Sequence, residues 1–233
     1  MKNIYFLIIL MVFLLSSCST MKTIKFTQKS NEVQTTDALS LFLSKVKNPK
    51  VVLRVRETSN NVTDKENNDY LYNAIENQLM ASGFIVRDRQ LFNQIIGNAE
   101  NNVNYENLNK KSDTDLIIEL TKLDRSVLYE TNKYFDSNGN EKADEFNGPF
   151  RKYGATVEFK VVLIKNNQFA GLYDFNYTPC TDGCVIAQSF KDVKNQIKTI
   201  RKTGIQPYEG VEKNELEEFI KAATRNLVAE IRK

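Results

Sequence analysis

The 233-residue chain contains no histidine and no tryptophan. Without histidine, the chain cannot form a Ser-His or Cys-His catalytic arrangement or a zinc site with imidazole ligands. The commonest general base near neutral pH is also missing, so an enzyme would have to rely on carboxylates, lysines or tyrosines. The absence favours a protein that acts by binding over a typical hydrolase. We therefore expect no enzymatic activity and no cofactor, with the calcium alternative below kept open.

The chain also lacks an excess of charge of either sign. It has 32 Lys and Arg against 29 Asp and Glu, which gives a formal net charge of +3, and the two signs are mixed along the sequence. A balance this close to zero gives no reason to expect nucleic acid or an anionic membrane as an electrostatic partner. We expect no nucleic acid partner and an ordinary solvated surface.

The longest apolar run lies at the start of the chain, where twelve consecutive apolar residues extend from Ile4 to Leu15. No comparably long apolar run follows it. A helix that spans a bilayer needs roughly 20 such residues. The run follows the single positive charge of Lys2 and leads into Ser16-Ser17-Cys18, which looks like a bacterial lipobox. The sequence predicts that residues 1–17 are a lipoprotein signal peptide and that Cys18 becomes the palmitoylated N-terminus. An uncleaved signal anchor with an incidental cysteine is the alternative.

Residues 18–48 are mostly polar and predict a flexible tether between the membrane and a folded domain. Within this tether, Ala38 to Val46 is more apolar and predicts a short helix with Asp37 as its N-cap. The residue after Cys18 is Ser19 and not aspartate, which favours the outer membrane under the enterobacterial sorting rule. We expect the mature protein to be lipid-anchored there and to face the periplasm, and exposure at the cell surface stays open.

Cysteine is scarce, with three residues in the whole chain. Lipid on Cys18 leaves Cys180 and Cys184, and an even remainder in an exported protein favours a disulfide. Pro179 and Gly183 favour a turn that would bring the two sulfurs together. Free thiols are a second possibility. A catalytic redox pair is a third, although its usual spacing is Cys-x-x-Cys and the spacing here is Cys-x3-Cys.

The sequence predicts that residues 49–233 form one domain of mixed α/β (α+β) class, in which a single mixed β-sheet packs against helices. Apolar residues recur at helical spacing on the last predicted helix, Lys213 to Arg232, which gives it one buried stripe. The other predicted elements are strands at Lys50–Arg56, Phe84–Val86, Asp115–Asp124, Ser126–Phe135, Gly154–Ile164 and Phe169–Tyr177, and helices at Asn68–Ser82, Asp88–Gly97 and Ser189–Gly204.

The passage from Tyr70 to Ile96 resembles the anticodon-binding-domain-like envelope lipoproteins of the CsgG, LpoB and TolB N-terminal-domain type. Their shared pattern is a helix that ends in Ser-Gly-Phe, a strand, and an Asp-Arg pair before a second amphipathic helix. Here Ser82-Gly83-Phe84 and Asp88-Arg89 match it, and the strand at Val51 to Val55 and the lipobox agree. The resemblance implies an anticodon-binding-domain-like fold and a task in the cell envelope, but members share a scaffold and differ in function.

The loop from Asp136 to Asn147 resembles a dockerin-type calcium loop, with oxygen-bearing side chains at positions 1, 3, 5, 9 and 12. Position 6 is Glu141 instead of glycine, and position 12 is Asn147 instead of a bidentate acid. A solvated turn built on Asn138-Gly139 is the alternative. The candidate calcium ligands are Asp136, Asn138, Asn140 and Asp144.

A group of acids lies between Glu212 and Glu218, where paired catalytic carboxylates could be sought. Acids stabilise the first turns of a helix, and this location explains them without catalysis. The sequence thus predicts an accessory or assembly protein of the envelope that binds an unknown envelope protein. The alternatives are a ring-forming subunit related to secretion channels, which would be a homo-oligomer, and a carboxylate-dependent glycan-acting enzyme.

Overall fold

The computed structural model describes residues 22–55, 68–96, 113–145, 149–166, 168–186 and 210–233. The predicted signal peptide, Cys18, Asn147 and the helix predicted from Ser189 to Gly204 lie outside these residues. The chain divides into two compact units. Among the described residues, the small unit contains residues 22–27, 130–145, 149–151 and 180–186, and the large unit contains residues 28–55, 68–96, 113–129, 152–166, 168–179 and 210–233.

The large unit is built on a six-stranded mixed sheet with the strand order β2-β9-β8-β5-β3-β4. Strand β3 pairs in parallel with β4 and β5, whereas β9 pairs antiparallel with β2 and β8. The strands are β2 (Glu32–Thr35), β3 (Lys50–Val55), β4 (Ile85–Val86), β5 (Leu116–Thr131), β8 (Phe150–Leu163) and β9 (Gln168–Tyr177).

The described residues form four α-helices, which are α1 (Asp37–Lys45), α2 (Asp69–Ala81), α3 (Arg89–Ile96) and α4 (Lys213–Ile231). The apolar stripes of α2 and α4 are buried in the main core, together with alternate residues of the strands. Each fully buried Leu or Ile contributes about 1.5–3 kcal/mol relative to an exposed one. Helix α3 instead packs Phe92 into a separate cluster with Val52, Ile117, Val162 and Ile164.

Short polar signals determine where the two central helices begin and end. Gly83 has a φ of +85°, which favours glycine, and its N–H donates to the carbonyl of Met80 directly after α2. Before α3, the carboxylate of Asp88 accepts a hydrogen bond from the N–H of Leu91 at 2.7 Å. Both signals occupy the positions that the sequence predicts for them.

The small unit carries a second, antiparallel sheet with the order β10-β1-β6-β7. Its strands are only three residues long and are β1 (Lys22–Ile24), β6 (Lys133–Phe135), β7 (Glu141–Ala143) and β10 (Cys184–Ile186). Strand β1 pairs with segments far away in sequence, whereas β6 and β7 form a local hairpin. Strands this short are held by their neighbours and not by their own residue pattern.

The mixed α+β class and the long C-terminal helix are confirmed. The prediction of a single sheet is wrong, because three-residue strands show no alternation that the sequence could reveal. Part of the predicted tether is also folded, since β1, β2 and α1 lie within residues 18–48. Helix α1 begins at Asp37, with Thr36 at the N-cap position. Among the described residues, no helix combines the length and the apolar character needed to cross a bilayer.

Candidate functional site

Strand β1 is the centre of the small unit, because it follows the predicted lipid-bearing cysteine and pairs on both sides. Thr23 lies opposite Phe135 of β6, whereas Lys22 and Ile24 lie opposite Ile186 and Cys184 of β10. The antiparallel pairing gives this sheet two ends. We name the end with the start of β1 and the β6–β7 turn the turn end, and the end with Ile24 and Cys184 the disulfide end.

The turn end is organised by the carboxylate of Asp136. One oxygen accepts the N–H groups of Asn138 and Asn140 at 2.9 and 3.0 Å, and the other lies 2.8 Å from the Lys142 ammonium. These contacts, led by the Lys142 hydrogen bond, lower the pKa of Asp136 from the ordinary 3.8 to about 2. Gly139 completes the turn with a φ of +79°.

The carboxylate of Asp144 is buried and lies 2.6 Å from the Lys22 ammonium. The same ammonium lies 4.5 Å from the centre of the Tyr134 ring, which meets Phe150 edge-on at 6.3 Å. Such cation–π contacts add about 0.5–2 kcal/mol each. Lys22 is therefore held in place by a buried acid and an aromatic surface at once.

The predicted calcium ligands are only partly brought together. Asp136 and Asp144 each pair with a lysine, Asn138 and Asn140 are exposed, and Asn147 is not described. In the described ranges, no three or more His, Cys, Asp or Glu side chains are grouped in a way that could hold a metal ion. Calcium binding at this loop stays an untested alternative to the solvated turn.

At the disulfide end, Cys180 and Cys184 are joined, with their Cα atoms 5.1 Å apart. Cys180 has a φ of +56°, a left-handed conformation that is unfavourable for a residue with a Cβ. Gly183 has a φ of +108°, and a Cβ there would lie 2.8 Å from Thr23 Cγ2. The disulfide thus closes a tight turn directly before β10, beside β1.

In the large unit, β2 is an edge strand of the six-stranded sheet, and its residues Glu32, Val33 and Gln34 are exposed. The N–H of Thr36 donates to the carbonyl of Ala170. Since antiparallel partners alternate along a strand, the backbone of Gln34 also faces β9. The N–H and C=O of Val33 therefore point away from the sheet, where a further strand could pair.

Exposed apolar side chains are concentrated at the two edges of this sheet. At the β2 edge they come from β2, α1 and β9, and at the β4 edge they come from α2, β4 and α3. All six are 40–60% exposed, and they are Val33, Leu41, Phe169, Met80, Ile85 and Leu91. Only two other large apolar residues of the described part, Leu128 and Val185, are exposed to this degree. The edges are thus the main apolar surface of the large unit.

A buried ion group crosses the face of the sheet opposite the main core. Glu119 of β5 is 1% exposed and accepts a hydrogen bond from Arg54 of β3 at 2.6 Å. The ammonium of Lys160 lies 3.5 Å from its other oxygen. The sequence did not reveal this group, because polar residues at alternate strand positions are typical of a solvated face. Because the Glu119 carboxylate pairs with both Arg54 and Lys160, we assign this group a structural role.

A cleft of about 390 Å³ lies between the ends of α1 and α4. Lys47, Arg232 and Lys233 supply the charged side chains of its lining, and none of the residues that line it is an acid. It therefore offers no pair of carboxylates for glycan cleavage.

The acids of α4 have ordinary partners. Glu217 and Glu218 each lie 2.9 Å from the ammonium of Lys221. Burial, with Glu215 as a further cause, raises the pKa of Tyr177. These contacts fit the structural explanation of the acidic segment.

No protein-family model matches the chain, and no characterised protein matches its sequence. Among solved structures, a PelC dodecamer from Paraburkholderia phytofirmans superposes with a TM-score of 0.40 at 8% identity, covering 87% of this chain and 98% of that chain. A minor lipoprotein from Acinetobacter baumannii superposes with a TM-score of 0.34 at 9% identity, and the match covers 79% of this chain and 95% of that chain. A PDZ domain protein from Parabacteroides distasonis superposes with a TM-score of 0.28 at 12% identity, and the match covers 85% of this chain and 40% of that chain. Likenesses at this level carry no argument about function.

Proposed function

We propose that the protein is a lipid-anchored accessory or assembly factor of the cell envelope, which acts by binding another envelope protein and not by catalysis. The anchor is supported by the apolar run from Ile4 to Leu15 and the Ser16-Ser17-Cys18 motif. The serine after Cys18 supports the periplasmic side of the outer membrane as the location.

The observation that carries the binding role is the β2 edge. It presents an outward-facing backbone at Val33 beside exposed apolar side chains from β2, α1 and β9. An extended segment of a partner can add to such an edge as a further strand. Backbone hydrogen bonds then supply affinity, and side-chain contacts supply specificity. Unprotected edges are a liability in proteins that do not use them.

Photo-crosslinking in cells tests this role. A photoreactive amino acid at Phe169 should capture one envelope protein, identified by mass spectrometry, whereas the same group at exposed Lys122 in the central strand β5 should not. Failure to capture any protein at the β2 edge of the membrane-bound chain would contradict the proposal.

Two proline variants separate loss of binding from loss of folding. Val33→Pro removes an N–H that faces outwards, so the fold should persist while the adduct at Phe169 disappears. Gln34→Pro removes an N–H that pairs with β9, so it should lower the melting temperature. Equal crosslinking in Val33→Pro and the parent would exclude strand addition at β2.

A ring-forming homo-oligomer is the second candidate. The specific observation in its favour is that β2 and β4 form opposite edges of one sheet and that both edges carry exposed apolar residues. Contacts between unlike surfaces of identical subunits generate closed rings when the rotation closes. Light scattering of the detergent-solubilised lipidated protein tests this candidate, since a single sharp monomer peak would count against it.

A further inference from the structure

We propose that the turn end of the small unit rests on the phospholipid headgroup layer of the membrane that holds Cys18. The partner is the bilayer surface itself, and the contact surface consists of the β6–β7 turn and the start of β1. This inference rests on the proposed lipid anchor and adds an orientation to it.

The chain between the proposed anchor and the sheet is short. Only residues 19–21 separate Cys18 from Lys22, the first residue of β1. A fully extended chain spans at most about 3.6 Å per residue, so the two Cα atoms lie no more than about 14 Å apart. The headgroup layer is itself about 5–8 Å thick on each side of the bilayer. The start of β1 cannot move far from the surface of that layer.

Strand β1 cannot easily detach from its sheet and lengthen this connection. It pairs with β10 on one side and with β6 on the other. The Lys22 ammonium is held by the buried carboxylate of Asp144 at 2.6 Å and by the Tyr134 ring. Removing Lys22 from the sheet would leave a buried carboxylate without this partner, which is strongly unfavourable.

The β6–β7 turn lies at the end of the small sheet where β1 begins. Thr23 lies opposite Phe135 in an antiparallel pair, so the chain preceding Thr23 lies beside the chain following Phe135. That following chain is the turn from Asp136 to Asn140. The disulfide lies at the other end, where Ile24 is opposite Cys184. The short tether therefore brings the turn end, and not the disulfide end, to the membrane.

The charges at the turn suit this position. Asp136 is neutralised by Lys142, and Asp144 is neutralised by Lys22. Ser137 and Asn138 are uncharged and exposed, and they can exchange hydrogen bonds with water and headgroups. The contact requires no electrostatic attraction to the membrane, which agrees with the small net charge of the chain.

The absence of tryptophan allows a direct test, because all tryptophan fluorescence then comes from the single tryptophan that is introduced. Asn138→Trp marks the turn end, and Asp182→Trp, at another exposed position in the same unit, marks the disulfide end. The full lipidated chain is reconstituted in vesicles of phosphatidylethanolamine and phosphatidylglycerol that carry a nitroxide on some headgroups. We expect several-fold stronger quenching of the tryptophan at position 138 than of the one at 182.

A longer tether is the matched control. A Gly-Ser insertion of roughly 16 residues after Thr20 adds about 20–24 Å of average reach. It should abolish most of the quenching at position 138 while vesicle binding persists. Ser137→Trp replaces the first variant if circular dichroism shows that Asn138→Trp is unfolded.

Intact-mass measurement keeps the two proposals distinguishable. If the lipid mass is present and the protein binds vesicles, but quenching at 138 is no greater than at 182 or is unchanged by the insertion, the orientation is wrong and the anchor stands. If the lipid mass is missing, the proposed anchor is wrong and the orientation falls with it. Lipid present, selective quenching and its loss on insertion together support the inference.

Discussion

Tyr129 lies so close over Gly154 that a Cβ on the glycine would stand 2.6 Å from Tyr129 Cε2. The same Cβ would lie 2.3 Å from the backbone oxygen of Tyr177 and 3.1 Å from Pro179 Cδ. The Tyr129 hydroxyl lies 3.2 Å from Thr178 Oγ1, a hydrogen bond that fixes the ring in this place. The glycine is therefore required by the close approach of a neighbouring strand and a ring.

The first prediction concerns this position. Gly154→Ala should lower the free energy of unfolding by about 1–3 kcal/mol, because overpacking against a backbone atom cannot be relieved by a rotamer change. Urea unfolding monitored by tyrosine fluorescence and circular dichroism measures the loss. Lys152→Ala, at an exposed position of the same strand, should change the stability by no more than about 0.5 kcal/mol. Equal stabilities of the two variants would contradict the prediction.

The second prediction concerns the buried ion group. Arg54→Met should destabilise the fold by about 3–5 kcal/mol, because Glu119 would stay buried after losing its closest cation. The double variant with Glu119→Leu should recover much of this loss, since both charges are then removed. Lys221→Met, in an exposed ion pair, should have a smaller effect. Additive losses in the Arg54 and Glu119 variants would show that the two side chains are not coupled.

The third prediction concerns pH. The pKa of Asp136 is about 2 in the folded chain and 3.8 ordinarily, so its ionised form is favoured by folding. Its stabilising contribution is complete above about pH 4 and is lost as the pH falls towards 2. Asp136→Asn should lower the melting temperature at pH 6 and should show a weaker fall between pH 4 and 2 than the parent. Identical pH profiles for parent and variant would contradict this assignment.

The fourth prediction concerns calcium. A cation entering the Asp136–Asn147 loop would have to replace Lys142 at Asp136, and it would meet Asp144 already paired with Lys22. We expect the melting temperature in excess calcium to equal that in chelator, because a ligand that binds the folded state must raise it. A rise that chelator reverses, and that Asp136→Asn abolishes, would establish the calcium site instead.

The elements with strong local signals were predictable. Helix α4 has apolar residues at every third or fourth position, Gly83 ends α2, Asp88 precedes α3, and the β8–β9 hairpin alternates along both strands. The disulfide was the favoured one of three possibilities, because Pro179 and Gly183 predict a turn at Cys180 and Cys184. In each case the information lies within about twenty residues of sequence, which is the range over which periodicity and capping act.

The remaining features depend on contacts between distant segments. Strand β1 pairs with residues more than a hundred positions away, and β2 pairs with β9 across a similar separation. One continuous strand, β5, replaces nearly all of the predicted strand Asp115–Asp124 and the first part of the predicted strand Ser126–Phe135. The turn end is an example in the candidate site, because only the β1–β6 register places the start of β1 beside the turn that begins at Asp136. No local pattern contains that register.

The ion pair between Arg54 and Glu119 has a consequence for how β3 aligns with β5. On the core side, Val51, Leu53 and Val55 face Leu116, Ile118 and Leu120, and a shift by two residues would exchange one aliphatic contact for another. On the opposite side, a shift that placed Val52 against the Glu119 carboxylate would separate this buried charge from the Arg54 guanidinium. Such a separation costs several kcal/mol, because the carboxylate stays away from water. The Arg54–Glu119 pair thus favours the observed alignment over one that apolar side chains alone would leave nearly equal in free energy.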